Sequence, residues 1–373
     1  MQWVDPTQKD LDMRSKNNFK IASSVVLLTA VSAIPISASA AGVEFSMSGQ
    51  ISRALTFADN GVDTDTLFVD NNNSGSRLRL KGQTELTPSL TAGVYWETQY
   101  QDNDSSAIDI GDSDNSSAFK SRIREVWFSG DWGKAYLGQG NGAANGTSEV
   151  DFSGTTIADY SGNNLDDGIS FVGSNGLHGT TSPADVSVKN GSVFGNFDGL
   201  SRNDRLRYDL PSFGPLSIAV STGQDRSELG IRYSGELSGG TKIGAAIGIV
   251  DNDESFEQIG LSASLLLASG LNITLHHGER DLDAGGVDPE GDYIKIGQIF
   301  GDSQQHHVSL GLHSVDDLAA IGDEAERTNL SYVYVFPKKG VEIFATWQNA
   351  SLSRASGDLE DQDIFGIGSR IKF

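Results

Sequence analysis

Charged side chains at every second position constrain the fold of this chain more than any other feature. In "SRLRLKG", residues 76–82, three cationic residues alternate with two leucines: Arg77, Arg79 and Lys81 against Leu78 and Leu80. A β-strand directs successive side chains to opposite faces, so this stretch has one cationic face and one apolar face. The fold therefore depends on what covers the apolar face.

The same alternation recurs after residue 42, in stretches that include 204–210, 228–237, 327–336 and 363–373. The polar faces carry Gly and Ser beside charged residues, and the apolar faces carry aromatic residues near the strand ends. This pattern is typical of a transmembrane β-barrel, with lipid outside and water inside. Because backbone groups in lipid must pair internally, the sheet has to close. We expect the following to face lipid or a neighbouring subunit: Leu78, Leu80, Leu206, Tyr208 and Leu210.

Short and long connections alternate between the predicted strands. The short ones are 87–89, 130–133, 211–215, 238–240, 268–270 and 337–340, and the long polar ones are 58–74, 102–118, 281–291, 315–325 and 351–362. Two further connections on the long side, near 223–226 and 251–254, are short. The rhythm predicts an all-β, antiparallel barrel of about 16 strands with short periplasmic turns and long external loops. Sixteen strands leave an aqueous channel. A segment of about 60 residues, 140–201, is longer than an ordinary connection and is expected to be functional.

The N-terminus has the pattern of a secretory signal peptide. Three basic residues precede the apolar run 21–36, and Ala38-Ser39-Ala40 forms an A-x-A cleavage site. We expect cleavage after Ala40, which divides the chain into a signal peptide, 1–40, and a barrel, 41–373. Residues 1–12 are unusual before a signal and suggest an over-extended start, with Met13 as the initiator.

The composition excludes several kinds of partner and chemistry. The net charge of −23 makes a nucleic-acid partner unfavourable, and the absence of Cys excludes thiolate metal sites. Neighbouring histidines at 276–277 and 306–307 fall on opposite faces of a strand, and 109–117 lacks the spacing of a calcium loop, so we expect no metal and no cofactor. The chain has no H-E-x-x-H, G-x-S-x-G or P-loop motif, so we expect no enzyme activity.

Several motifs together resemble those of the Gram-negative general porins, from residue 42 to residue 373. "VDNNNSGSRLRLKG" (69–82) is similar to the family's second strand, and "SRIREVWFSGDWGKAYLGQGN" (121–141) to its R-x-x-x-x-G-L-x-G-D-x-G segment. The segment 202–221 is similar to N-S-x-R-Y-x-S-P-x-F-G-G. Gln139 departs from the usual Arg, and Trp127-Phe128 replaces Gly-Leu. The chain ends in "GSRIKF", which resembles an outer-membrane assembly signal: Gly368, Ile371 and Phe373.

The resemblance implies a homotrimeric diffusion porin of the outer membrane, in contact with lipid and lipopolysaccharide. Its third external loop, here 140–201, would fold into the pore and place acids opposite a ladder of bases. The candidate pore-lining bases are Arg77, Arg79, Lys81, Arg122, Arg124, Arg205, Arg207 and Arg370. Alternation supports all of them except Arg122 and Arg124, whose strand places Glu125 and Trp127 on the other face. The candidate loop acids are Glu149, Asp151, Asp159, Asp166 and Asp167.

The expected function is passive diffusion of small hydrophilic solutes and ions through a water-filled channel. Acidic external loops should concentrate cations at the mouth, and the two signs should nearly cancel at the constriction, so weak cation selectivity is expected. The alternative is a secreted or surface β-rich protein of the adhesin or lectin type. The terminal Phe373 and the rhythm of sixteen segments favour the channel, because a soluble β protein needs neither.

Deletion of Phe373 should reduce membrane assembly more than it weakens a finished barrel, because the terminal G-x-x-I-x-F pattern acts during assembly. The measurement is the amount of folded protein recovered from the outer membrane. A normal yield of the truncated chain would count against this role.

Overall fold

Pairing between the last strand and the first closes the sheet into a barrel. The computed structural model describes residues 39–40, 42–112, 117–162, 164–173, 188–253, 255–318, 321–354, 357 and 359–373. Sixteen barrel strands occur in this part of the chain, which confirms the predicted number. They are β1 (Val43–Asp59), β2a and β2b (Thr64–Asp70 and Arg77–Thr87), β3 (Leu90–Gln101), β4 (Ala118–Gly130), β5 (Gly133–Asn141), β6 (Arg202–Asp209), β7 (Leu216–Gly223), β8 (Ser227–Glu236), β9 (Lys242–Asn252), β10 (Phe256–Leu266), β11 (Leu271–Leu282), β12 (Glu290–Phe300), β13 (His306–Asp316), β14 (Glu324–Phe336), β15 (Val341–Ser353) and β16 (Gln362–Lys372).

The second barrel strand is formed in two parts on either side of a short 3-10 turn. β2a pairs with the upper part of β1, from Arg53 to Asp59, and β2b pairs with its lower part, from Glu44 to Gln50. The prediction of one long loop over 58–74 is therefore wrong. The chain reverses at 60–63, where the side-chain oxygen of Asn60 accepts hydrogen bonds from the backbone N–H groups of Val62 and Asp63. Such a local hydrogen bond is what favours Asn in turns.

The two ends of the barrel meet at β1 and β16. The backbone N–H and C=O of Phe373 exchange hydrogen bonds with Gly49, at 2.9 and 2.7 Å. The side chains of Ile371 and Phe373 are exposed on the outer face, whereas Gly368 faces inward beneath the ring of Phe344. Ser39–Ala40 pair with Val43 and Glu44. The rest of the predicted signal peptide, through residue 38, lies outside the described residues.

The two faces of the strands have opposite chemistry. In β14, Arg327, Asn329 and Ser331 are buried toward the inside, whereas Leu330 is 49% exposed on the outside. The register of β2b against β1 and β3 places Arg77 and Arg79 inside with Gln50 and Glu97. The predicted outward direction holds for four residues in the strands: Leu78, Leu80, Leu206 and Tyr208. Leu210 follows β6.

Short turns occupy one end of the barrel and the longer connections the other, as predicted. Aromatic side chains lie at the short-turn end, where Trp132 stacks on Tyr208 and Tyr334 contacts Phe336. Such aromatic girdles mark the membrane interface of outer-membrane barrels. No helix among the described residues has the length and apolar character to cross a membrane.

The connection between β5 and β6, residues 142–201, is named the inner loop, and its described parts, 142–162, 164–173 and 188–201, fold into the barrel. These described parts contain one short helix, α1 (Asn190–Val193). Its apolar side chains, which include Ile157, Leu165 and Ile169, pack against inward-facing residues of the wall such as Phe344 and Ile364. A second cluster joins Phe171 and Phe194 to Val315 and Leu352. The inside of the barrel is therefore partly filled by a small hydrophobic core.

Replacing Leu330, the central residue of β14, with Arg should cost about 2–4 kcal/mol of folding free energy, because the charge would enter lipid. Ile321→Arg is the matched control, since Ile321 is exposed in the connection before β14. The measurement is unfolding of both variants by urea in lipid vesicles. Equal stability of the two variants would show that Leu330 does not face the bilayer.

Candidate functional site

Three arginines of the inner wall converge on one carboxylate, Glu97 of β3. The Nε atoms of Arg79 and Arg122 lie 2.6 Å from its two oxygens, and Arg77 Nη1 lies 3.8 Å from Oε1. Arg122 also donates a hydrogen bond to the side-chain oxygen of Gln99. Glu97 is only 3% exposed. One carboxylate therefore holds three cations in place without cancelling their charge.

A β-bulge explains the direction of Arg122. The register between β3 and β4 shifts between Glu97 and Thr98, whose partners are Ile123 and Ser121, so Arg122 is the extra residue. A bulge places one additional residue in a strand and redirects the side chains on either side of it. As a result Arg122 faces inward together with Glu125, two residues that simple alternation would place on opposite faces.

Arg124 does not line the pore, which corrects the sequence-based prediction. Its partners in the sheet, Trp96 and Gln139, lie on the outer face. Arg124 Nε donates a hydrogen bond of 3.0 Å to the side-chain oxygen of Gln139, which also accepts one from Ser121. The outside of the barrel thus carries a polar cluster between β4 and β5, which we name the outer polar patch.

The other predicted bases face inward but differ in their surroundings. Arg205 is buried and forms a 2.6 Å ion pair with Glu125, whereas Arg207 pairs with Asp209 at 2.7 Å. Arg370 pairs with Glu342 and donates to the hydroxyl of Ser74. Lys81 is exposed, and its ammonium lies over the ring of Tyr95. These residues stabilise the wall or line its lower part, while Arg77, Arg79 and Arg122 form the group around Glu97.

Most of the inner-loop acids bind the opposite side of the barrel. Asp151 Oδ2 lies 2.7 Å from the ammonium of Lys295 in β12, and that ammonium also lies 3.8 Å from Asp159 Oδ2. Asp166 lies 3.8 Å from Arg327 in β14. Asp167 accepts a hydrogen bond from the backbone of Asn164 within the loop. The expectation that these four acids face the bases across an open channel is wrong, because Asp151, Asp159 and Asp166 are paired with cations of the wall and Asp167 is buried within the loop.

Burial raises the pKa of three acids of the inner loop, Asp159, Asp166 and Asp198. It raises the pKa of Asp159, although Lys295 and Arg327 oppose the shift, and it raises the pKa of Asp166, which Arg327 opposes. The pKa of Asp198 is also raised by burial, against hydrogen bonds from the backbone N–H groups of Ser148 and Gly146. The charge of the buried acids therefore depends on the paired cations.

Glu149 is the one predicted acid of the inner loop that is exposed. Desolvation of its carboxyl group by the surrounding loop and the nearby charge of Asp198 raise its pKa to about 8. Its Oε1 lies 3.4 Å from the amide nitrogen of Asn196. Arg202, at the start of β6, is within electrostatic reach of Glu149 as well as of Arg122 and Glu97. These residues and the group around Glu97 form the candidate constriction.

The sequence prediction missed three cations that matter here, Lys295, Arg327 and Arg202. Lys295 is fully buried in "DYIKIGQ", where it is the inward residue between two outward isoleucines. That alternation signals an inward charge, but the sequence does not show that its partners come from a segment about 140 residues earlier. Arg202 stands at the boundary of the long loop, where no strand pattern indicates its direction.

The described residues contain no group of three or more His, Asp or Glu side chains arranged to hold a metal ion. The acidic stretch 109–117 is described only in part, because residues 113–116 lie outside the structure's described ranges. Asp109 and Asp112 exchange backbone hydrogen bonds there. The side-chain oxygen of Asp109 also accepts hydrogen bonds from the backbone of Ile110 and Ser170.

A closed barrel of sixteen strands, with a charged inner wall and a long loop folded inside it, is the architecture of an outer-membrane channel. A family model described as Gram-negative porin matches residues 26–355. The chain belongs to the Gram-negative porin family, and its place is the outer membrane. A search of curated protein sequences finds no significant match.

Solved structures with the same fold have low sequence identity to this chain. An anion-selective porin from Comamonas acidovorans is 19% identical with a TM-score of 0.63, over 89% of this chain and 100% of that one. OmpT of Vibrio cholerae lacking loop L8 is 14% identical with a TM-score of 0.58, over 89% and 100%. OmpF of Salmonella typhi in complex with daunomycin is 14% identical with a TM-score of 0.57, over 89% and 98%. At these identities the likeness concerns the fold alone.

Replacing Lys295 with Met should release part of the inner loop from the wall. Loss of the ammonium leaves Asp151 and Asp159 buried without their cation, at a cost of about 3–5 kcal/mol, less where Asp159 takes up a proton. We expect faster cleavage of the inner loop by added protease and a less steady current through single channels. Lys120→Met is the control, since Lys120 is an exposed cation at the long-loop end. Cleavage at the same rate in both variants would contradict the anchoring role.

Proposed function

We propose that the chain forms a water-filled channel for passive diffusion of small hydrophilic solutes and ions across the outer membrane. The observation that carries this proposal is the polar, charged inner wall along β2b to β6, beside which the described parts of the inner loop leave an open cavity. Water and small polar solutes can form hydrogen bonds with this surface, whereas apolar solutes cannot. The band of exposed leucine and isoleucine around the outside supports a membrane channel over a soluble adhesin or lectin.

We propose that the constriction itself favours anions. The earlier expectation of weak cation selectivity required several loop acids opposite the bases. Three of the five pair with cations of the wall and Asp167 is buried within the loop, so among the described residues Arg77, Arg79, Arg122 and Arg202 stand against Glu97 and Glu149. At a Debye length of roughly 8 Å in physiological salt, only charges close to the passing ion act on it. Acids of the external loops act at the mouth and are screened first as salt rises.

Reversal potentials in planar bilayers under a KCl gradient test this proposal. We expect chloride to be preferred at high salt, and the preference to shrink at low salt as the acids of the mouth repel anions. Arg122→Gln should weaken the chloride preference. Glu149→Gln should strengthen it above about pH 8, where the carboxyl group of Glu149 is ionised. Asp225→Asn, in the exposed turn between β7 and β8, is the control and should matter only at low salt. A potassium preference that persists at high salt would contradict the proposed anion selectivity and support weak cation selectivity.

We propose that three copies assemble around the outer polar patch. An arginine that faces hydrocarbon is costly, so Arg124, Gln139 and Ser121 are better covered by a neighbouring copy than by lipid. Cross-linking in intact membranes would reveal the trimer.

We also propose that residues 1–40 are removed on export, which the mass of the purified protein would test. Contacts with lipopolysaccharide remain an expectation from the family resemblance.

A further inference from the structure

The inner wall holds a second group of residues between the constriction and the short-turn end. A cavity of about 950 Å³ lies there, lined by parts of β1 to β6. Three aromatic rings, those of Tyr95, Trp127 and Tyr136, share this lining with two lysines, Lys81 and Lys134. Neither selectivity at the constriction nor anchoring of the inner loop uses these residues.

Trp127 lies flat against the wall. Its partner across the β3–β4 ladder is Gly93, and a methyl group at that position would overlap the indole ring. Because Gly93 has no side chain, one face of the indole lies on the backbone of β3. The ammonium of Lys134 lies 3.9 Å from the centroid of the indole ring and 4.8 Å from that of Tyr136. The ammonium of Lys81 lies 4.8 Å from the ring of Tyr95.

The two lysines have no carboxylate partner, in contrast to the arginines around them. Arg205 is paired with Glu125 and Arg207 with Asp209. Within the described chain neither Lys81 nor Lys134 forms an ion pair. Glu44, at the edge of the cavity, is exposed. Glu125 and Asp209 lie within electrostatic reach of Lys134 but are paired with Arg205 and Arg207, so the closest partners of both ammonium groups are aromatic rings. A cation–π contact is weaker than an ion pair with a carboxylate.

We propose that this cavity is a binding site for small aromatic carboxylates, and we name it the aryl-acid site. The ring of such a solute would pack beside Trp127 and the two tyrosines. Its carboxylate would form an ion pair with the ammonium of Lys134 or Lys81, in place of a cation–π contact. An aliphatic carboxylate has no ring and would contact only the lysines. A neutral aromatic solute has no charge and would contact only the aromatic rings. The site rests on the proposed channel function, since its ligands arrive through the lumen.

Sodium benzoate is the probe. The comparison solutes are sodium acetate, which has the carboxylate without the ring, and benzyl alcohol, which has the ring without the charge. Each is added on the short-turn side of wild-type channels in a planar bilayer carrying a KCl current. We expect benzoate to interrupt the current at concentrations at which acetate and benzyl alcohol do not. Lys134→Gln should raise the half-blocking concentration of benzoate about tenfold, and Lys134→Arg should largely preserve it. Trp127→Leu should reduce benzoate to the level of acetate.

Lys339→Gln is the matched control, because Lys339 is an exposed lysine in a short turn at the same end of the barrel and does not line the cavity. It should leave the benzoate block unchanged. An equal response of the wild-type channel to benzoate and acetate, or equal effects of Lys134→Gln and Lys339→Gln, would overturn the site. The KCl current of each variant, recorded first, tests the channel separately. A normal current without benzoate block would leave the channel function intact and reject the aryl-acid site.

Discussion

The hydrogen bonds that join β16 to β1 are the constraint on which the other features depend. In hydrocarbon, an unpaired backbone group costs several kcal/mol, so an open sheet edge cannot persist there. Closure removes both edges at once and turns the apolar faces outward. It also leaves a polar inner surface that no conventional core can cover. The properties of the channel therefore depend on which parts of this inner space are filled by protein and which parts contain water.

The inner loop fills part of the space by two kinds of contact. Its apolar residues pack on alanine, valine and phenylalanine side chains of the wall, and its acids bind Lys295 and Arg327. Buried ion pairs are often a net cost compared with apolar packing, yet breaking one is strongly destabilising. We infer that these pairs fix the position of the loop more than they add to its stability. That position leaves Glu149, of the five predicted loop acids, as the one near the cations around Glu97.

The sequence was sufficient for the barrel and insufficient for the constriction. Alternation at Leu78 to Lys81 shows which side chains face lipid, because a local period of two residues determines the face. The family resemblance misplaces Arg124, because the bulge at Arg122 changes the phase within a single strand and leaves the two arginines on opposite faces. The resemblance also assigns Asp151 and Asp159 to the channel, because only the folded chain brings Lys295 to them. Loop residues have no periodic pattern, so their direction depends on contacts that are distant in sequence.

Attachment of the inner loop from β7 round to β16, β1 and β2a divides the wall into two regions with different tolerance to substitution. Where the loop is attached, inward side chains such as Phe344 and Ser309 behave like residues of a globular interior, and a change of volume there would displace the loop. Along β2b to β6 some inward residues, such as Lys81 and Lys134, border the open lumen, and changes of size would be accepted at those positions. Related channels can therefore diverge in solute preference by substitutions in the second region, while the first keeps the loop in place.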